Sequence, residues 1–122
     1  MKKFLLIFAI LLVVVFSTLP GTQFMYDYGT RHPRDKMSAT LVYTAARIRM
    51  NVGSYQVAAA WFRTAIGLFP YHGKADEAAY WLAFCHEKAK NYHEAESAYK
   101  RFIETYPQHR FVKKAKKRLV TM

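Results

Sequence analysis

Cysteine is nearly absent. Cys85 is the only one in 122 residues, which rules out an intramolecular disulfide and any cysteine-based zinc or iron–sulfur site. It sits in the apolar run Tyr80–Cys85 and is expected to be a small buried hydrophobe, the alternative being a redox or intermolecular-disulfide role in an oxidising compartment. Acidic residues are also scarce, with eight Asp and Glu against 19 Lys and Arg and a net charge of +11. The eight form no recognisable pair for acid–base chemistry. His86-Glu87 and His93-Glu94 do not extend to an H-E-x-x-H motif, and no glycine-rich phosphate loop occurs. No catalytic, cofactor-binding or metal-binding residue is therefore assigned, no cofactor is expected, and the chain is read as no enzyme.

The excess of positive charge has a use. It falls only to about +9 when Lys2 and Lys3 are set aside, and it favours acidic partners such as anionic lipid, wall polymer or acidic protein. Charge is the only feature that would suggest nucleic acid, so no specific nucleic-acid binding is expected.

Residues 1–21 are a targeting segment. Lys2 and Lys3 precede the uncharged run Phe4–Leu19, and Pro20-Gly21 follow. Sixteen residues of helix span about 24 Å, somewhat less than a hydrocarbon core of about 30 Å, which suits a cleavable signal. No A-x-A site is present, and Phe24, Tyr26 and Tyr28 suit a membrane-interface belt, which favours a retained signal anchor. No cysteine closes the run, so lipid attachment is not expected there. The expected arrangement is an anchor with the domain outside the cytoplasm, on the periplasmic side. The alternative is secretion to the periplasm after cleavage. Residues 22–34, with Gly29 and Pro33 and no helical period, read as a linker.

Residues 35–122 repeat themselves. Shifting Ser38–Gly73 by 37 positions lays it on Ala75–Arg110 without a gap. Seven pairs are identical: Tyr43/Tyr80, Ala46/Ala83, Tyr55/Tyr92, Ala58/Ala95, Ile66/Ile103, Pro70/Pro107 and His72/His109. Such a period marks a helical solenoid. The repeats run about 38–73 and 75–110, and 111–120 forms half of a third. Within each repeat, apolar residues three and four apart define two helices. The first helices are expected near Asp35–Met50, Lys74–Lys88 and Arg110–Val120. The second end at Phe69 and Tyr106, because a residue before proline avoids the helical region. Gly53 supplies a permissive backbone at the turn, and Ser54 and Asn91 are expected to cap the helices that follow.

The fold class is therefore all-α, with an N-terminal hydrophobic helix, two helical hairpins and a C-terminal capping helix. Two and a half repeats are marginal for a stack, so a partner or self-association is expected to help stabilise it.

The runs Ala79-Tyr80-Trp81-Leu82-Ala83 and Asn91-Tyr92-His93-Glu94-Ala95, then Tyr99 and Tyr106-Pro107, resemble the tetratricopeptide repeat. The long period and the Phe/Tyr-Pro endings are most similar to its bacterial cell-envelope members. Examples are the outer-membrane assembly lipoprotein and the TolA-binding division coordinator. Arg49 and His86 depart from the pattern, which usually keeps an aromatic there.

The resemblance implies a protein-binding groove lined by first helices: Thr40, Tyr43, Arg47 and Met50, then Glu77, Tyr80, Phe84 and Glu87, with Lys114 and Lys117 from the last helix. The apolar stripe of Tyr80, Trp81 and Phe84 supports it, because it needs a neighbouring repeat or a ligand. Trp81 is expected to pack between repeats. The expected function is a scaffold or accessory subunit, in envelope assembly or a membrane complex, that binds another protein and is held to the membrane through Phe4–Leu19. The alternative is a basic module in which Lys113, Lys114, Lys116, Lys117 and Arg118 hold anionic lipid or cell-wall polymer.

Overall fold

The computed structural model describes residues 1–17 and 19–122, and the side chains of all but 15–19. The last five residues of the expected anchor thus lie outside the described side chains. The described helices are α1 (Lys2–Ser17), α2 (Leu19–Arg31), α3 (Ser38–Asn51), α4 (Tyr55–Leu68), α5 (Ala75–Lys88), α6 (Tyr92–Thr105) and α7 (Val112–Thr121). From α2 onward each helix packs against the next in chain order. No strand occurs among the described residues.

The helices keep the 37-residue period of the sequence. First helices begin at Ser38, Ala75 and Val112, and second helices at Tyr55 and Tyr92. Their ends repeat as well. At Arg49–Ser54 the Gly53 N–H donates to the Met50 carbonyl at 3.1 Å and the Ser54 N–H to the Arg49 carbonyl at 2.8 Å. At His86–Asn91 the Lys90 N–H donates to the Glu87 carbonyl at 3.0 Å and the Asn91 N–H to the His86 carbonyl at 2.8 Å. Both are Schellman closures, which satisfy carbonyls at a helix end through one left-handed residue. Gly53 has φ 86° and Lys90 has φ 65°.

Ser54 and Asn91 stand at the N-cap positions of α4 and α6, yet their side chains make no capping bond. Their backbone N–H groups close the preceding helices instead. The second helices stop where proline requires: α4 ends at Leu68, before Phe69-Pro70, and α6 at Thr105, before Tyr106-Pro107.

The linker expected at 22–34 is replaced in its first ten residues by α2. Counting back 37 residues, α2 occupies the place of a second helix, and Pro33 joins Pro70 and Pro107 in one series. Gly21, Met25 and Gly29 are buried at positions equivalent to Ala58, Phe62 and Ile66. The loop after α2 repeats too. Asp35 Oδ1 accepts the Met37 N–H at 3.2 Å, as His72 Nδ1 accepts that of Lys74 at 3.1 Å and His109 Nδ1 that of Phe111 at 3.0 Å. These loops also explain why α3, α5 and α7 start one to three residues later than their sequence patterns suggest. The stack is thus two full hairpins flanked by half a repeat at each end.

Two clusters form the core. The first joins Met25, Val42, Trp61, Phe62 and Cys85, with Trp81 packed against it. Cys85 is fully buried, which pushes its thiol up to about 12, and it packs as a small hydrophobe. The second joins Ala83, Tyr99, Phe102, Val112 and Ala115, with Phe111 and Leu119 at its edge. Thus α7 caps the stack as expected. In contrast, the large apolar side chains described on α1 are open, from 43% exposed at Leu12 to 78% at Phe4.

Candidate protein-interaction surface

The side formed by α3 and α5 separates into internal and accessible groups. Tyr43 is internal. Its hydroxyl donates to the Phe69 carbonyl at 2.9 Å, its ring stacks on His72 at 4.8 Å, and burial pushes its pKa up to about 12. It fastens α3 to the loop after α4. Thr40 is exposed, with its hydroxyl 3.4 Å from His72 Nε2. Tyr80 is half-buried among Tyr99, Phe102 and Phe111, at ring separations of 5.8, 5.8 and 4.9 Å. Burial raises its pKa, and it serves mainly as core.

Glu87 is buried and bonded within the stack. It accepts the Tyr99 hydroxyl at 2.9 Å and the Arg118 Nε–H at 3.0 Å, while a second Arg118 nitrogen reaches its other oxygen. Tyr43 and Glu87 therefore leave the accessible face expected for them, because their polar atoms are satisfied inside. Arg118, expected on the basic surface, is likewise engaged as the partner of Glu87.

Arg47, Trp81, Phe84 and Lys88 line the open part of this side. The Arg47 guanidinium lies 4.5 Å over the Trp81 ring. Trp81 also packs against Phe62 at 5.8 Å, the inter-repeat role expected of it. Phe84 meets Tyr55 edge-on at 6.3 Å, and the Lys88 ammonium sits 5.5 Å over its ring. Met50 is half-buried against the first cluster. Glu77 is bonded to Arg110 at 2.8 Å and lies 3.8 Å from Lys74, so its charge is neutralised. The result is a partly apolar strip with cations stacked on aromatics, suited to an acidic segment bearing apolar side chains. Lys88 is a member that helix-face reasoning missed. Its place one turn beyond Phe84 on α5 was the available signal.

On α7, Lys113, Lys114, Lys116 and Lys117 are exposed. Among the described residues none pairs with a carboxylate. Lys114 instead lies 5.3 Å over the Phe111 ring, which Arg110 also approaches at 4.9 Å.

A stack of short helical hairpins on a 37-residue period defines a helical-repeat protein of the tetratricopeptide type. The model of the family YfiO, outer membrane lipoprotein, matches residues 35–116, and the chain belongs to that family. No curated protein matches the chain. The thiol of Cys85, buried in α5, is not placed to carry a lipid.

Proposed function

We propose that this chain is a non-catalytic accessory subunit that holds a protein-docking helical stack at a membrane of the bacterial cell envelope. Membership of an outer membrane lipoprotein family supports the location. The observation that carries the reading is the contrast between α1 and the rest. The stack α2–α7 buries most of its large apolar side chains in two internal clusters, whereas α1 leaves Phe4, Leu5, Leu6 and Phe8 side by side and more than half exposed. Such a surface calls for lipid or protein cover.

Among the described residues no helix is long and apolar enough to cross a membrane. In this reading α1 embeds with Lys2 and Lys3 at one interface, as a short segment does by local thinning and snorkelling. Lys2 and Lys3 face Arg31, Arg34 and Lys36 across this segment, and the reading sets the domain on the periplasmic side with its family. The stack begins at α2, so of the expected targeting segment 1–21 only the part before Leu19 serves that role alone. Of the three aromatics read as an interface belt, Phe24 is free for that role, being 64% exposed. Tyr26 is stacked on Trp61, and Tyr28 donates to Asp35.

The docking strip comprises Arg47, Trp81, Phe84 and Lys88, with Thr40, Met50 and Glu77 at its margins. Arg47→Ala with Phe84→Ala should abolish partner capture from solubilised membranes while leaving the helical spectrum intact. Retained capture would refute the strip. A second reading is favoured by the four unpaired lysines of α7, which would hold anionic lipid or wall polymer. Binding of that kind weakens steeply with salt, whereas an apolar strip is much less sensitive.

A further inference from the structure

The two inter-repeat junctions are built from equivalent positions but filled differently. Between α2 and α4, the Trp61 indole fills the gap. It is 6% exposed, stacked on Tyr26 at 4.4 Å and 10°, and covered by the Arg49 guanidinium at 4.7 Å. Arg49 in turn donates to Thr22 at 2.8 Å. Thirty-seven residues on, between α4 and α6, Trp61 becomes Ala98, Tyr26 becomes Arg63 and Arg49 becomes His86. There the indole has no counterpart, and a cleft of about 620 Å³ lies in its place.

The chemistry of this cleft is specific. Ile66, Leu82 and Phe102 give it apolar walls, and Arg63 and Arg101 stand at it with His86. His86 is 8% exposed, and both its ring nitrogens are buried without a hydrogen-bond partner among the described residues. Leaving such atoms unmatched is costly, and a ligand atom would relieve the cost. Burial and the nearby Arg63 both lower the pKa of His86, so its neutral ring offers one donor and one acceptor. Glu94 is the one carboxylate lining the cleft, against two arginines.

We propose that the α4–α6 cleft is a recognition pocket for an indole side chain presented by an acidic segment of a partner protein. The ring takes the place that Trp61 occupies in the preceding junction. Arg63 lies against it as Tyr26 lies against Trp61. The indole N–H donates to the unprotonated nitrogen of His86, and carboxylates flanking the tryptophan meet Arg63 and Arg101. This pocket is distinct from the α3–α5 strip, so the two can fail separately.

The test uses the full chain in detergent micelles, with ¹⁵N-labelled histidine observed by NMR. The probes are the capped peptides Ac-Glu-Trp-Glu-NH₂, Ac-Glu-Ala-Glu-NH₂ and Ac-Lys-Trp-Lys-NH₂. The first should shift the His86 ring resonances saturably, and the other two should bind weaker by about tenfold or more. Ala98→Trp, which supplies the missing ring from within, should abolish the shift and raise the melting temperature. Should Ala98→Trp not fold, Arg101→Glu at an exposed position decides. It should weaken the acidic peptide severalfold with the fold unchanged. His86 resonances that stay still, that respond alike to all three peptides, or that keep their response in Ala98→Trp would overturn the proposal, as would equal affinity in Arg101→Glu.

Discussion

Arg118 on α7 reaches back to the buried carboxylate of Glu87 on α5, and the Tyr99 hydroxyl of α6 donates to the same carboxylate. One acidic group thus ties three helices together. The equivalent positions one repeat earlier are Met50, Phe62 and Trp81, an apolar set whose two rings lie 5.8 Å apart. The same site in the stack is closed once by aromatic packing and once by a charge-assisted network. Such bonds are stronger than neutral ones, and the network holds only if every member is present.

A pH dependence follows. The bond from Arg118 is the leading cause that holds the Glu87 carboxyl below the usual range, with the Tyr99 bond helping and burial opposing. A depressed folded-state pKa gives stability that is complete above the unfolded value, about 4.3 for glutamate, and is lost as pH falls through the folded value. Glu87→Gln should cost about 1–3 kcal/mol at pH 7. Thermal unfolding across pH 7 to 3 should show the wild-type advantage shrinking below about pH 4.5. A gap that stays constant would contradict the assignment.

Lys90 is strained where Gly53 is not. Both hold the left-handed position of a Schellman closure, at φ 65° and 86°, and a side chain there is costly. Lys90→Gly should stabilise the protein by about 0.5–1 kcal/mol. In a domain of this size that is roughly 2–8 °C in melting temperature. Gly53→Ala should lower it. Circular dichroism melts of the two variants moving in the same direction would refute this.

Gly29 sets the approach of α2 to α3. A Cβ there would lie 2.8 Å from the Ser38 carbonyl oxygen and strike a Val42 methyl. The backbone cannot yield as a side chain would, so Gly29→Ala should destabilise by about 1–3 kcal/mol. Gly67, which has nothing within 4 Å of such a Cβ, is the control, and its change to Ala should be neutral or stabilising. Equal effects on denaturant midpoints would show that α2 is not part of the cooperative unit.

The cap formed by α7 should depend on its apolar side and not on its lysines. Phe111 and Leu119 pack against the second cluster, with Val112 and Ala115 buried beside them. Phe111→Ala with Leu119→Ala should cost several kcal/mol, at about 1.5–3 kcal/mol for each fully buried side chain and less for a half-buried one. Changing Lys113, Lys116 and Lys117 to Gln should leave the melting temperature nearly unchanged, since exposed charges contribute little. Unfolding of the glutamine variant alone would mean that the lysines are docked against something.

The repeat was legible because Tyr, Ala, Ile and Pro recur as identities at one spacing. The first half repeat was missed because α2 carries glycine where later repeats carry Ala58 and Ile66. Gly21 and Gly29 read as loop composition, yet they permit close helix contact. Pro33, in series with Pro70 and Pro107, was the signal available. The interaction face was only partly legible. Helical spacing placed Tyr43, Tyr80 and Glu87 on one side, but exposure depends on partners distant in sequence. Arg118 lies 31 residues from Glu87, and that pairing exists only because α7 folds back along α5 and α6. The open α4–α6 cleft depends on a missing ring at Ala98, which an alanine-rich helix pattern does not reveal.

The claim that this is a membrane-held protein-docking stack is tested most directly by site-specific photocrosslinking in membranes of the native host. A crosslinking residue placed at Phe84 probes the strip, and one at Tyr71, which is 99% exposed on the loop after α4, is the control. The account predicts that the chain sediments with membranes and that position 84 yields a discrete protein adduct while position 71 yields none. A chain found in the soluble fraction, or a position 84 that gives no protein adduct while α7 lysine positions crosslink to lipid, would contradict it.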